Sequence, residues 1–112
     1  MAASGLNIVT AGKQSDTLLF YSGDTDFVTL SWTQRFSGEA ISASGVTAFA
    51  TWYVPAGASA ILSGTANGAS AMWMKMSATA APGFTGRVSA RVVTTSAKVM
   101  IEYFDIKIWT GQ

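Results

Sequence analysis

The feature that most limits what this chain can fold into is a strict alternation of apolar and polar residues. Val28, Leu30 and Trp32 alternate with threonine and serine, which is the two-residue period of a β-strand with one face in a core and the other in water. Residues 99–109 repeat this pattern, and no segment shows the 3.6-residue period of an amphipathic helix. The sequence therefore predicts an all-β protein.

Short apolar segments separated by turn residues recur at intervals of about ten residues, which is typical of a β-sandwich. The 112 residues of the chain are the length of one domain. We expect residues 25–112 to form a single immunoglobulin-like antiparallel β-sandwich, preceded by an N-terminal extension or arm over residues 1–24. The predicted core consists of the inward-facing members of the alternating segments: Val28, Leu30, Trp32, Trp52, Val54, Phe104, Ile106 and Ile108.

The N-terminal extension contains two apolar clusters, residues 6–9 and 18–21, separated by a polar linker. Two interpretations are open. If the clusters pack on the sandwich, they are its first edge strands. If they do not, they form an arm whose apolar side chains are covered by a neighbouring molecule.

The segment 72–76 carries three methionines on one face and Trp73 and Lys75 on the other. It is interpreted first as a core strand, because methionine fills irregular gaps well. The alternative is an adaptable interaction surface, since methionine and tryptophan are common in such patches. With the N-terminal clusters, this alternative gives the candidate interface: Leu6, Ile8, Val9, Leu18, Phe20, Met72, Trp73, Met74 and Trp109.

The composition argues against several kinds of function. Cysteine and histidine are both absent, which removes thiolate nucleophiles, imidazole bases and the usual zinc ligands. Glu102 and Asp105 are three residues apart, so in a strand they lie on opposite faces and do not form a carboxylate pair. We therefore expect no enzymatic activity, no metal and no cofactor.

The charge pattern also limits the choice of partner. Only 12% of the residues are charged, the net charge is +1, and the basic residues are spread along the chain. Nucleic-acid binding thus has no electrostatic support. No apolar run approaches the roughly 18 residues that span a bilayer, so no membrane association is expected. A surface with so few charges suits a subunit that is covered in an assembly.

A series of short motifs resembles a known family. The motifs are Phe-Val-Thr-Leu-Ser-Trp-Thr, Gly-Glu-Ala-Ile, Trp-Tyr-Val-Pro-Ala-Gly, Met-Trp-Met, Thr-Thr-Ser and Tyr-Phe-Asp-Ile, at residues 27–33, 38–41, 52–57, 72–74, 94–96 and 103–106. In this order they resemble the fiber-tail adaptor family of tailed bacteriophages, over residues 26–108. The resemblance implies a small immunoglobulin-like virion module without catalytic residues.

The function that this resemblance implies is that of a virion structural protein, made in the host cytoplasm, which connects the tail or neck to the fiber. The expected partners are other virion proteins of the tail, neck, fiber or capsid, and further copies of the chain itself. One alternative is a capsid decoration (cement) protein with the same fold. Another is a carbohydrate-binding β-sandwich module, in which Trp73, Tyr103 and Trp109 form a stacking platform.

Overall fold

The computed structural model describes residues 7–12, 17–42, 49–66 and 70–109. These residues form an all-β structure, and none of its segments is a helix long and apolar enough to cross a membrane. The strands are β1 (Asn7–Thr10), β2 (Thr17–Phe20), β3 (Thr25–Ser31), β4 (Ala50–Tyr53), β5 (Ala58–Ala66), β6 (Ala71–Ala78), β7 (Thr85–Val93) and β8 (Val99–Ile108).

The strands form two four-stranded sheets, with the orders β1-β3-β6-β5 and β2-β8-β7-β4. The two sheets pack on each other, so the predicted β-sandwich is confirmed. The strand order is compatible with the immunoglobulin constant-type arrangement, in which one sheet has the order A-B-E-D and the other contains C, F and G.

Two of the strand pairs are parallel. β1 runs parallel to β3, and β2 runs parallel to β8, whereas the other pairs are antiparallel. Parallel neighbours need a crossover rather than a hairpin. The chain meets this condition because β2, which lies in the opposite sheet, separates β1 from β3 in sequence.

The described parts of the N-terminal segment are edge strands, one in each sheet. Val9 of β1 and Phe20 of β2 are buried in the common core. Residues 7–10 and 17–20 are therefore edge strands of the sandwich, which is the first of the two interpretations of residues 1–24. Leu6 lies outside the described residues.

The core lies between the inward-facing side chains of the two sheets. Met72, Met74 and Met76 alternate with outward-facing residues along β6, and Val88, Ala90 and Val92 do the same along β7. Of the predicted core residues, Trp52 and Val54 are half-buried and pack against the core. The others are fully buried: Val28, Leu30, Trp32, Phe104, Ile106 and Ile108.

Trp32 is the largest fully buried side chain, and it lies directly after β3. Its ring stacks on Phe36 with 6.0 Å between the ring centroids, and the guanidinium of Arg35 lies 5.5 Å from its ring centroid. Its indole Nε1 is buried without a hydrogen-bond partner. Burial of the Trp32 ring therefore favours folding, whereas burial of its unpaired N–H opposes folding.

We predict that Trp32→Ala lowers the free energy of unfolding by about 3–5 kcal/mol, the range for truncating a large buried aromatic side chain. Trp32→Phe should cost less than half as much, because it keeps a ring and removes an unpaired N–H whose burial costs about 1–3 kcal/mol. Urea unfolding followed by far-ultraviolet circular dichroism measures both. Equal costs for the two variants would show that the indole N–H is satisfied in solution.

Candidate interaction surfaces

The outward-facing alternates of the strands form two outer faces, one on each sheet. The outer face of β1-β3-β6-β5 is called the tryptophan face; its main members are Ile8, Phe27, Leu62, Trp73 and Lys75. The outer face of β8-β7-β4 is called the tyrosine face; its main members are Tyr53, Arg87, Ser89, Arg91, Ile101, Tyr103 and Asp105.

The centre of the tyrosine face is a row of three side chains across three strands. Tyr53 of β4 is in register with Ser89 of β7, which is in register with Tyr103 of β8. Two strand spacings separate the tyrosines, or about 10 Å. Tyr53 is 52% exposed and Tyr103 is 50% exposed. Two half-exposed phenol rings thus flank a small serine.

Charged groups surround this row. The Nε of Arg87 donates to the carboxylate of Asp105 at 3.1 Å, and the guanidinium lies 5.9 Å from the ring centroid of Tyr103. Arg91 is in register with Thr51 on one side and Ile101 on the other. The Arg87–Asp105 pair is largely exposed, so it adds little to stability. Its effect is to orient the guanidinium beside Tyr103.

The tryptophan face is built on an aromatic pair. Trp73 of β6 meets Phe27 of β3 edge to face, with 5.9 Å between ring centroids, and the ammonium of Lys75 lies 5.9 Å from the Phe27 centroid. A Cβ at Gly64 of β5 would lie 2.8 Å from the Trp73 ring. The indole therefore rests against the β5 backbone, an approach that only glycine permits.

Four members of the predicted interface have to be removed from it. Val9, Phe20, Met72 and Met74 are buried in the core of the chain itself. Successive side chains of a strand point to opposite faces, and these four point to the inner face. Of the two interpretations of residues 72–76, the core strand is therefore the one found for the methionines.

The other predicted interface residues are distributed over the surface. Ile8 is 61% exposed on the tryptophan face, and Trp73 is half-buried on the same face. Leu18 is half-buried and packs against the core, and Trp109 is half-buried just after the end of β8. Ile8 and Trp73 belong to one sheet, Leu18 belongs to the other, and Trp109 follows the last strand of that second sheet, so these side chains do not form one surface.

Several exposed apolar side chains were missed by the sequence analysis: Tyr53, Ile61, Leu62, Val99 and Ile101. The alternation predicts that Tyr53 and Ile101 are exposed, since each is next in sequence to an inward-facing residue. Ile61 and Leu62 had no such signal. They lie at an irregularity in the pairing of β5 with β6, between Ala60 and Leu62.

The stacking platform of the carbohydrate-binding alternative is not formed by the three predicted rings. Trp73 and Tyr103 lie on opposite outer faces of the sandwich. Trp109 follows Tyr103 by six residues, which is about 20 Å along a strand. A flat sugar ring therefore contacts at most one of these rings at a time.

Glu102 and Asp105, the two carboxylates compared in the sequence, each have polar partners within the chain. Glu102 accepts the backbone N–H of Gly12 at 2.7 Å and lies 3.6 Å from Arg35. Asp105 is on the outer face and pairs with Arg87. Within the described ranges, no group of three or more acidic side chains lies close enough to hold a metal ion.

Comparisons of the chain with models of protein families, with curated proteins and with solved structures gave no match.

Hydrogen bonds and an ion pair from residues 39–42 fix the turn between β7 and β8, next to the tyrosine face. Residues 40–42 pair with the end of β7, where Thr95 donates to the carbonyl of Ala40 at 2.8 Å. The Glu39 carboxylate binds the ammonium of Lys98 at 2.7 Å and accepts the backbone N–H of Ser37. The hydrogen bond from Lys98, followed by that from Ser37, lowers the pKa of Glu39 below its ordinary value of 4.5.

Because the pKa of Glu39 is lower in the folded chain than in the unfolded one, its ionised form favours folding. This stabilisation is present above about pH 4.5 and is lost as the pH falls through the lowered pKa. We predict that Glu39→Gln is less stable than the parent at pH 7 and that the difference shrinks at lower pH. Thermal unfolding across a pH series measures it.

The matched control for this prediction is Lys98→Met. On that background the largest cause of the pKa shift is absent, so Glu39→Gln should have a much smaller pH-dependent effect. An undiminished effect would show that Lys98 is not the partner that matters.

Proposed function

We propose that this chain is a structural subunit of a bacteriophage virion which acts by binding alone, as an adaptor between the tail or neck and the fiber. The observation that carries the proposal is the tyrosine face. The resemblance of residues 26–108 to the adaptor family supplies the virion context. The protein is then expected in the virion, after synthesis in the host cytoplasm.

The tyrosine face has the chemistry of a protein-binding surface. Tyrosine and arginine are the residues, with tryptophan, that most often dominate binding energies at interfaces. A phenol ring offers a large contact area and loses little conformational entropy when it is fixed. Tyr53 and Tyr103 are half-exposed, so a partner has area to cover on both. Ser89 between them is small, so both rings can be reached by the same partner.

The backbone under this face is held by its neighbours. β7 and β8 form the longest hairpin of the described chain, and they are paired from Thr85 with Lys107 to Val93 with Val99. Side chains on such strands keep their relative positions when a partner binds, which reduces the entropic cost of binding. This rigidity favours a stable structural contact over an adaptable one.

The charge of the face indicates what the partner surface carries. Among the described residues of β7 and β8, Arg87, Arg91 and Lys107 point outward with Asp105 as the one outward-facing acid, which gives these residues an excess of two positive charges. Complementary charge speeds association and suppresses wrong partners. We therefore expect an acidic protein surface on the tail, neck or fiber component that binds here.

The test uses the phage that encodes the chain, with Tyr53→Ala and Tyr103→Ala combined in its genome. If both rings are binding hot spots, each contributes about 2 kcal/mol, so incorporation into particles should fall at least about tenfold. Quantitative mass spectrometry of purified virions measures the amount. Tyr21→Ala is the matched control, because Tyr21 is exposed but lies beyond the end of β2, away from the tyrosine face.

Three results would contradict parts of the proposal. Purified wild-type virions without any trace of the protein would overturn the virion assignment. Normal incorporation of the double variant would overturn the role of the tyrosine face. Imaging of a labelled copy on the capsid shell, rather than at the tail or neck, would replace the adaptor by a capsid decoration protein.

A further inference from the structure

The cations of the tyrosine face differ in their contacts. Arg87 is held by the carboxylate of Asp105 at 3.1 Å, and Lys107 is two residues from Asp105 on the same face of β8. Arg91 is half-buried on β7. Its side chain takes part in none of the ion pairs or side-chain hydrogen bonds among the residues that the structure describes. Arg91 is therefore a cation without a compensating acid in this part of the chain.

The neighbours of Arg91 supply no carboxylate either. Arg91 lies in the middle of a row across three strands, in register with Thr51 of β4 and Ile101 of β8. Ser89, the centre of the tyrosine row, is two residues away on the same strand, which is about 7 Å. The side chains of these two rows are hydroxyl, aliphatic and phenol groups.

A partner that covers both tyrosines also covers Arg91. A standard interface occupies about 800 Å² of each partner, so it is about 28 Å across, much wider than the distance from Ser89 to Arg91. The Arg87–Asp105 pair enters such an interface as a compensated pair. Arg91 loses water without an acceptor from the described chain, and burial of an unpaired charge is far more costly than burial of a paired one.

We propose that Arg91 is the specificity-determining residue of the tyrosine face and that it binds an aspartate or glutamate carboxylate of the partner protein. This inference rests on the proposed function and makes it more specific, since it assigns the partner's acidic group to Arg91. A guanidinium binds a carboxylate through two parallel N–H donors. The hydroxyl of Thr51, one strand away, offers a further donor.

The position of Asp105 explains why Arg91 is chosen over the other cations of the face. A partner carboxylate at Arg87 or Lys107 meets the like charge of Asp105 nearby, which weakens binding. Arg91 is four residues along β7 from Arg87, the residue in register with Asp105, so it lies about 14 Å from Asp105. That exceeds the screening length of about 8 Å at physiological ionic strength.

A titration of the isotope-labelled full chain with a peptide of eight glutamate residues, followed by the amide chemical shifts, tests the inference. The largest shift changes should fall on Thr51, Arg91 and Ile101. Arg91→Gln should weaken binding at least about tenfold, the loss expected for one charge-assisted contact. Arg91→Lys should recover part of this loss, because it keeps the charge but not the planar pair of donors.

Lys75→Gln is the matched control. It removes the same charge from the other outer face and should leave the binding of the peptide unchanged. The inference is overturned if the peptide does not bind, if the shift changes fall away from Arg91, or if Lys75→Gln or Arg87→Gln weakens binding as much as Arg91→Gln does.

The same variants placed in the phage genome connect this contact to assembly. Arg91→Gln should lower the amount of the protein in purified virions, as measured by mass spectrometry, and Lys75→Gln should not. Normal incorporation of Arg91→Gln would overturn the inference while the virion assignment stands. Wild-type virions without the protein would instead overturn the proposed function, whatever the peptide titration gives.

Discussion

The structure depends on the burial of one inner sheet face against the other. Methionine side chains of β6 on one side, and Phe104, Ile106 and Ile108 of β8 on the other, belong to the same buried cluster. Because neighbouring side chains of a strand lie on opposite sides, the inward direction of these buried side chains places Trp73 and Tyr103 on the outer faces. Both candidate surfaces are thus consequences of how the core is formed.

Trp52 links this core to both outer faces. Its ring meets Phe104 edge to face at 6.2 Å, and its Nε1 donates to the backbone carbonyl of Trp73 at 3.2 Å. The indole of an edge strand of one sheet is thereby bound to an inner strand of the other. Tyr53 follows Trp52 directly, so the anchoring of one ring inward places the next ring on the tyrosine face.

The alternation of apolar and polar residues was sufficient to predict the sandwich and most of its core. The face to which a side chain points depends only on its position along its own strand. Val28, Leu30 and Ile106 needed no knowledge of the rest of the fold. Trp52 has the same alternating pattern, yet it is only half-buried, because β4 is an edge strand. A strand's position in its sheet depends on distant parts of the chain.

The surfaces were harder to predict for the same reason. The methionine strand was weighed as a possible interface, but its position between β3 and β5 makes its inner face core. β1 pairs in parallel with β3, and β2 pairs in parallel with β8; both pairings join segments that are separated in sequence. The exposure of Ile61 and Leu62 depends on a pairing irregularity in β5. No local pattern marks either of these features.

The few charges of this chain are distributed in a way that separates its surfaces. Among the described residues, three ion pairs join Arg35 to Glu102, Arg87 to Asp105 and Lys98 to Glu39. Every one of them involves β8 or the turn before it. The edge of β5 has no charge of its own and only Lys75 on the neighbouring strand.

Charge is the usual means by which a sheet edge resists pairing with other strands. Among the described residues the three ion pairs lie at the other sheet, but β5 has a pairing irregularity between Ala60 and Leu62, and such irregularities also protect a sheet edge. The same distribution makes the tyrosine face more polar than the β5 edge. The ion pairs of the described residues thus lie at the sheet of the tyrosine face, whereas the β5 edge of the other sheet has no charge and an irregular backbone pairing instead.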